Sequence, residues 1–452
     1  MNDADLVVIG AGPAGVEAAR TASLMGARVI LVDHSPVGGT CLHRGCIPTV
    51  ASMEIRRRYL ASISSQTWGI PAQVKDLDWE QMRGARDTMV NHLHQGTAHL
   101  LEQLNVTYLS GTAELTMQPT PVISVVGSPS QQIKTASVVV ATGAPFTLPS
   151  IPGIDSPQVW TSDHALGAQE APKHLIVYGG SFIGVEWAQF FHALGSQVTL
   201  LETGTQLLPG EDQDIAEALA FLLTESGIEV RTLCEMDSLE SSSPFIDAVS
   251  SKTRIRAHRF LVADCRRPRP QSSLPWALES TGGVMTDRSQ RTSIKDVYAA
   301  GDITGGRMLS HWARAQGRVA ALTALGEEAR FDPHSCPRVY HCDPEVAAVG
   351  MTTQEAQNRG YDVIEGQADL GFNARSVIAG QAQGMIKIVA SKPTGRILGV
   401  HILAPMASEV IAEATLALRL EALAEDLAAI VHGHPTVAEA LSEAAQEVVR
   451  QL

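Results

Sequence analysis

Two cysteines, Cys41 and Cys46, stand with four residues between them in GGTCLHRGCIPTV, residues 38–50. Such a pair could be a redox disulfide, half of a metal site, or two buried thiols that happen to be close. The spacing can close a small disulfide ring if the turn between the two is distorted. Both fall where a helix should begin, and helix N-terminal N–H groups favour thiolate, the form that attacks disulfides. A possible proton acceptor lies far along the chain, in HGHPTVAE at 432–439. The imidazole of His434 titrates in the range needed to take a proton from a thiol. On composition alone, a His-Pro pair in a loop is an ordinary turn.

The other four cysteines, Cys234, Cys265, Cys336 and Cys342, are scattered, with no CxxC pair and no histidine at zinc spacing. His341-Cys342-Asp343 cannot bind one ion from consecutive extended positions, so it reads as loop or core. No metal is expected. Six cysteines in 452 residues are far too few for a secreted disulfide scaffold. Cytoplasm is the expected location, which makes the close pair catalytic rather than structural.

The elements that must position these groups are legible as a repeated design. LVVIGAGPAGVEAARTASLMGARVILVD, residues 6–33, reads as strand, glycine turn, helix and strand. In its GxGxxG, Gly10 permits the turn, Gly12 admits a pyrophosphate and Gly15 packs helix on sheet. The helix N-terminus faces the phosphates, and Asp33 can accept from a ribose hydroxyl. HLIVYGGSFIGVEWAQFFHALGSQVTLLE, residues 174–202, repeats it with Gly179, Ser181, Gly184 and Glu202. Asp33 follows Gly15 by 18 residues, and Glu202 follows Gly184 by 18. One GxGxxG is weak evidence; two, between matched strands and with equally spaced acids, are strong.

Only the first copy is followed at once by the cysteine pair, so it should hold the redox cofactor. RTSIKDVYAAGDITGG, residues 291–306, places Asp302 after a short strand and Gly301, where it can bond a flavin's ribityl chain. VVVATGAPFTLP, residues 138–149, reads as the strand that closes this first fold. Glu202 with its neighbours offers no cation for a 2′-phosphate, so the second copy should take NAD rather than NADP.

GGTCLHRGCIP resembles the redox motif of the pyridine nucleotide–disulfide oxidoreductases, and the order of later motifs is similar over essentially the whole chain. These are ATG at 141–143, ending in Gly143, GGSFIGVE at 179–186, AAGD at 299–302 and HGHPTVAE. MLSH at 308–311 and ILGVHILAPMASEVIAEATLAL at 397–418 look most like the dihydrolipoamide dehydrogenase branch. The resemblance implies an α/β fold with two Rossmann-like dinucleotide-binding domains and a C-terminal α+β dimerisation domain, glutathione reductase-like. Its implied domains are an FAD domain with the redox disulfide at 1–150, an NAD domain at 151–270, a central segment at 271–333 returning to the FAD domain, and an interface domain at 334–452. It implies FAD, NAD and a homodimer. It makes Cys41 and Cys46 the redox disulfide, His434 the base serving the partner subunit's disulfide, and Glu439 the carboxylate that orients it. Dihydrolipoyl thiolate would attack Cys41, and electrons would leave through Cys46 and FAD to NAD⁺. The substrate would be a lipoyl-bearing carrier protein or free dihydrolipoamide.

Val50 departs from this pattern. The family has lysine there, near the flavin and paired with the glutamate matching Glu186. Its loss should lower the flavin potential and leave Glu186 protonated or bonded to another donor. Cys265 stands where the family has glycine, in ADCRRPRP, and reads as filling a slack spot. The serine-rich stretch 234–259 should be a solvent-facing part of the NAD domain, and His43-Arg44 fall at tolerant positions of the motif. These departures keep two alternatives open: a specialised NADH-dependent reductase of another lipoyl protein or small disulfide, and a non-cycling redox-sensing flavoprotein. A terminal EVVRQL without cysteines speaks against mercuric reductase and large thioredoxin reductase, and Glu202 against glutathione reductase. A formal net charge of −14 argues against nucleic acid and anionic membranes. No apolar run approaches the roughly 20 residues of a membrane span, and the N-terminus runs straight into a strand without reading as a signal peptide.

Overall fold

A computed structural model describes residues 3–71, 77–127, 131–263 and 266–452. Cys265 lies outside the described residues. The chain forms two compact units, one from residues 1–52, 78–148 and 265–333, the other from 53–77, 149–264 and 334–452. No helix among the described residues is long and apolar enough to cross a membrane.

The first unit is built on a six-stranded sheet. Its parallel part runs in the order Thr107–Gln118, Val29–Asp33, Ala4–Ile9, Gln131–Val140, Val297–Ala299. Leu6, Val7 and Val8 are wholly buried. A central strand covered on both faces leaves no place for polar alternation, hence the unbroken apolar run. The edge strand is Val297–Ala299, parallel to Val138–Val140. Residues 138–140 therefore lie inside the sheet, and the strand that closes it comes from much later in the chain. The outer parts of Thr107–Gln118 and Gln131–Val140 leave the parallel sheet and form an antiparallel meander with Thr120–Gly127. Helix Pro13–Leu24 packs on helix Ser310–Ala324 through small buried residues, among them Ala14, Ala18, Ala313 and Ala320. A Cβ on Gly317 would stand 2.1 Å from the Ala14 carbonyl oxygen.

The second unit holds a five-stranded parallel sheet in the order Val159–Trp160, Arg259–Val262, His174–Tyr178, Gln197–Leu201, Glu229–Arg231. Helix Phe182–Ala193 buries Trp187, Phe190 and Phe191. The polar stretch 234–259 is not simply a solvated loop. It contains the antiparallel strands Ser238–Ser242, Phe245–Val249 and Arg254–Ala257, which alternate buried Leu239, Ile246, Ala248, Ile255 and Ala257 with polar residues. The serines occupy one strand and its turn and mask that alternation.

The remainder of this unit is a five-stranded antiparallel sheet, Arg338–Tyr340, Glu345–Gly350, Ile397–Ala404, Met385–Ser391, Val363–Asp369. Helices Ala407–Arg419 and Glu439–Gln451 share one apolar core with it. Buried charges join this sheet to the start of helix Gln213–Glu225 within the second nucleotide fold. Arg338 Nε lies 2.8 Å from Glu211, while Lys387 Nζ lies 3.1 Å from Asp212 and 2.6 Å from Asp214. Buried ions of one sign must be matched by the other, and here each is.

Candidate active site

The two glycine turns have the same geometry. Gly10 has φ +103° and Gly179 φ +111°, the left-handed region that suits glycine. A Cβ on Gly15 would lie 1.8 Å from the Gly10 carbonyl oxygen, and one on Gly184 1.9 Å from that of Gly179. The middle positions differ in kind, since a Cβ on Gly12 would meet nothing within 4 Å. There the backbone faces open space, as a bound pyrophosphate requires. In the second copy Ser181 caps the helix without a side-chain cap bond, and its Oγ is buried without a hydrogen-bond partner in the structure. Orphaned buried hydroxyls are uncommon, and a phosphate oxygen would satisfy this one. Both sites fit dinucleotides.

The equal spacing of the two acids has a structural counterpart. Asp33 Oδ2 accepts from the Ala11 N–H at 2.6 Å and Oδ1 from the Ser35 N–H at 2.8 Å. Glu202 Oε2 accepts from the Gly180 N–H at 2.6 Å and Oε1 from the Gly204 N–H at 2.5 Å. Each carboxylate is thus fixed between its glycine turn and the end of its own strand, with lone pairs left for a ribose diol.

Asp302 begins a short 3₁₀ turn behind Gly301, whose N–H donates to Gln316 Oε1 at 2.9 Å. Burial raises the Asp302 carboxyl above its ordinary range, and the Arg266 charge opposes this. A cavity of about 340 Å³ is lined by Gly301, Asp302, Thr304, Leu309 and Gln316. A partly buried acid lining a cavity can hold a polyol such as a ribityl chain. Gly143 follows the strand Gln131–Val140 with φ +72° and open space where a Cβ would stand.

The two close cysteines lie on separate helices rather than on one. Cys41 belongs to Gly39–His43, while Cys46 opens the long helix Cys46–Ser64. The helix breaks because Arg44 leaves helical geometry at φ −141°, and Gly45 is close enough to Thr40 that a Cβ would lie 3.1 Å from its carbonyl oxygen. Cys41 is partly buried and Cys46 exposed. A hydrogen bond from Cys46 brings the Cys41 thiol down to about 7, against the upward push of burial. The Ser310 hydroxyl and the Arg314 charge also lower it, and Asp302 opposes them. The pair therefore shares one labile proton near neutrality. Ser310 lies in MLSH, so a signal for it was present. Arg314 had none beyond standing one helical turn later.

In the second unit, His434 and Glu439 meet. His434 Nδ1 lies 2.9 Å from Glu439 Oε1, and Glu439 Oε2 accepts from the Thr436 N–H at 2.8 Å. The Thr436 N–H, then the His434 hydrogen bond, hold this carboxyl below its usual range. A carboxylate only accepts, so Nδ1 carries the hydrogen and Nε2 is left as the basic nitrogen. His434 is largely exposed. The neighbouring His432 is different, with its buried side chain engaged by Glu413 at 3.1 Å.

Glu186 lies on the nucleotide-binding helix Phe182–Ala193 and is buried. Burial pushes its carboxyl up to about 7. The His341 backbone N–H donates to its Oε1 at 3.0 Å, so another donor does serve it. The His341 imidazole is itself raised, first by its bond to Glu345. In the same segment Cys342 is buried with its thiol raised by desolvation, and Asp343 pairs with Arg56 at 2.6 Å. No group of three metal-ligating side chains occurs among the described residues.

Comparison with known proteins adds to this geometry. Residues 4–317 match the pyridine nucleotide-disulphide oxidoreductase family, and residues 336–445 its dimerisation domain. A dihydrolipoyl dehydrogenase from Thermus scotoductus is 36% identical over 464 aligned residues, 100% of this chain and 98% of the relative. One from Bacillus subtilis is 33% identical, covering 97% of each. Leghemoglobin reductase from Glycine max is 31% identical over 98% of this chain and 87% of its own. Among solved structures, LpdA from Mycobacterium tuberculosis superposes with a TM-score of 0.90 at 25% identity, covering 98% of this chain and 99% of its own. A Cu(II) complex of the HOCl-induced flavoprotein disulfide reductase RclA from Escherichia coli superposes at 0.86 with 27% identity, covering 99% of each chain.

Proposed function

Because the chain belongs to the pyridine nucleotide–disulfide oxidoreductases, flavoenzymes that work with FAD and NAD, we propose that it oxidises a dihydrolipoyl dithiol with NAD⁺. The observation that carries this reading is the His434–Glu439 pair, a base with its free nitrogen exposed, in a chain that also holds the Cys41–Cys46 thiols. Attack on a disulfide requires thiolate, so a dithiol substrate needs such a base and an NADH-driven reductase does not need it for its first half-reaction.

Starting from the Cys41–Cys46 disulfide, His434 Nε2 takes the proton of one substrate thiol, and that sulfur attacks Cys41. The Cys41–Cys46 bond breaks as the mixed disulfide forms, leaving Cys46 as thiolate. The second substrate thiol then displaces Cys41, which closes the substrate's own disulfide and leaves the enzyme as dithiol. Glu439 holds the imidazole in the needed tautomer and stabilises the imidazolium. Cys46 leaves as thiolate from the first position of helix Cys46–Ser64, where helix N-terminal N–H groups favour that form. Gly10, Gly12, Gly15, Asp33, Gly143, Gly301 and Asp302 would hold FAD, which when bound would supply the two-electron carrier between the cysteine pair and NAD⁺. Gly179, Ser181, Gly184, Glu186 and Glu202 are assigned to NAD, and the Glu202 carboxylate would repel a 2′-phosphate. The dimerisation domain supports a homodimer in which His434 of one subunit serves the disulfide of the other.

A second reading is an NADH-driven reductase of another disulfide. Val50 in place of lysine favours it, as does the likeness to RclA. Anaerobic mixing of the flavoprotein with dihydrolipoamide, then NAD⁺, separates them through the visible spectrum. Sustained NADH formation is expected. Dithiol oxidation without delivery to NAD⁺ would favour the second reading, and no reaction with dihydrolipoamide would sink the lipoyl assignment.

A further inference from the structure

His43 lies between the two redox cysteines, and the motif alone gives it no role. In the structure its Nε2 is 2.9 Å from the Val37 carbonyl oxygen. A second histidine reaches the same atom, with His94 Nδ1 at 3.0 Å from helix Trp79–Gln103. The two rings are 5.3 Å apart between centroids and tilted by 59°. A carbonyl oxygen only accepts, so both nitrogens carry hydrogen, which fixes opposite tautomers on the two rings.

Val37 matters through its peptide link to Gly38. The Gly38 N–H donates to the Ala11 carbonyl at 2.8 Å, so the Val37–Gly38 peptide is held on its N–H side by the glycine turn and on its C=O side by two imidazoles. Gly38, at φ +115°, caps the short helix that carries Cys41. On Gly39 a Cβ would stand 2.6 Å from the Gly12 Cα, which leaves this peptide little freedom to shift without moving the helix.

We propose that His43 and His94 are positioning residues for the redox centre, locking the Val37–Gly38 peptide and so fixing the short helix that carries Cys41. The role rests on the Cys41–Cys46 centre of the proposed function but not on the identity of the substrate.

The geometry makes a side-chain-specific test possible. An asparagine amide nitrogen falls where a histidine Nδ1 lies, and a glutamine amide nitrogen where Nε2 lies. His94→Asn and His43→Gln should therefore keep the bond to Val37, whereas His94→Gln, His43→Asn and the two alanine variants should lose it. The holoenzyme is reduced with dithiothreitol, and the rate at which iodoacetamide alkylates its thiols is followed across neutral pH, with the flavin spectrum reporting retained FAD. Variants lacking the bond should react about fivefold more slowly near pH 7, the effect of one unit on a thiol that ionises at about 7, with the profile displaced to higher pH. His94→Asn and His43→Gln should track the unmodified protein. Unchanged profiles throughout, or equal losses for asparagine and glutamine at the same position, would overturn the proposal. Should the alanine variants lose FAD, the asparagine–glutamine contrast still decides. Failure of dihydrolipoamide turnover in the unmodified protein would bear only on the substrate, because alkylation does not involve it.

Discussion

Burial sets the behaviour of Glu186 more than any partner does. Its carboxyl, pushed up to about 7, keeps its proton in the folded chain where the unfolded chain has already lost it. Between the ordinary carboxylate range and about 7, rising pH therefore favours unfolding; below that window both states hold the proton, and above it both have lost it. The holoenzyme should lose on the order of 3 kcal/mol of stability across this window through Glu186 alone. Glu186→Gln should flatten that part of the slope in denaturant midpoints measured between about pH 5 and about pH 8; an unaltered slope refutes this account. Val50 lies one helical turn after Cys46. Val50→Lys would add a cation that stabilises reduced flavin and should raise the flavin potential by roughly 30 mV, equivalent to about 1.4 kcal/mol for two electrons. An unchanged potential would refute the explanation offered for the missing lysine. The sequence announced that Glu186 needed a new donor but not which one. His341 lies 155 positions away along the chain, and nothing local marks it.

At the scale of elements, the chemistry hangs on close backbone approaches. Helices Pro13–Leu24 and Ser310–Ala324 carry the first phosphate turn and the Ser310–Arg314 pair, and they touch through Gly317 against Ala14. Gly317→Ala should cost about 1–3 kcal/mol by overpacking and lower retained FAD, read from a denaturation midpoint and the flavin-to-protein absorbance ratio. A variant of unchanged midpoint and FAD content would show that the helices can separate freely. The glycine turns were fully legible because GxGxxG fixes a backbone path that only certain residues permit. The helix break at Arg44–Gly45 was not, since a residue without a Cβ permits the chain's return to Thr40 without announcing it. The strands hidden in 234–259 were missed for a related reason. Five buried positions alternate there with serine, aspartate and arginine, so a mean polarity conceals the periodicity.

For the whole molecule, the proposed division of labour between subunits has a distinct signature. Homodimers of Cys41→Ser and of His434→Gln should each be nearly inactive with dihydrolipoamide. Mixed dimers should regain about half of the activity, because the intact Cys41–Cys46 pair of one subunit meets the intact His434 of the other. If His434 served its own chain's disulfide, no mixed dimer would contain a complete site and activity would stay absent. Which surfaces meet in that dimer was beyond the sequence, whose motifs describe what each position does and not which chain it does it for.

The edge strand Val297–Ala299 has a consequence in time. The first sheet is begun by residues 4–9 and all but finished by Val140, yet its last parallel strand and Asp302 are translated only after the entire second nucleotide fold. A chain emerging from the ribosome therefore carries an open flavin cradle while its later nucleotide fold is already complete. The flavin cradle can be completed only once residues 297–302 have been made, and a polypeptide that stops short of Val297 should leave its first nucleotide turn without a finished sheet beneath it.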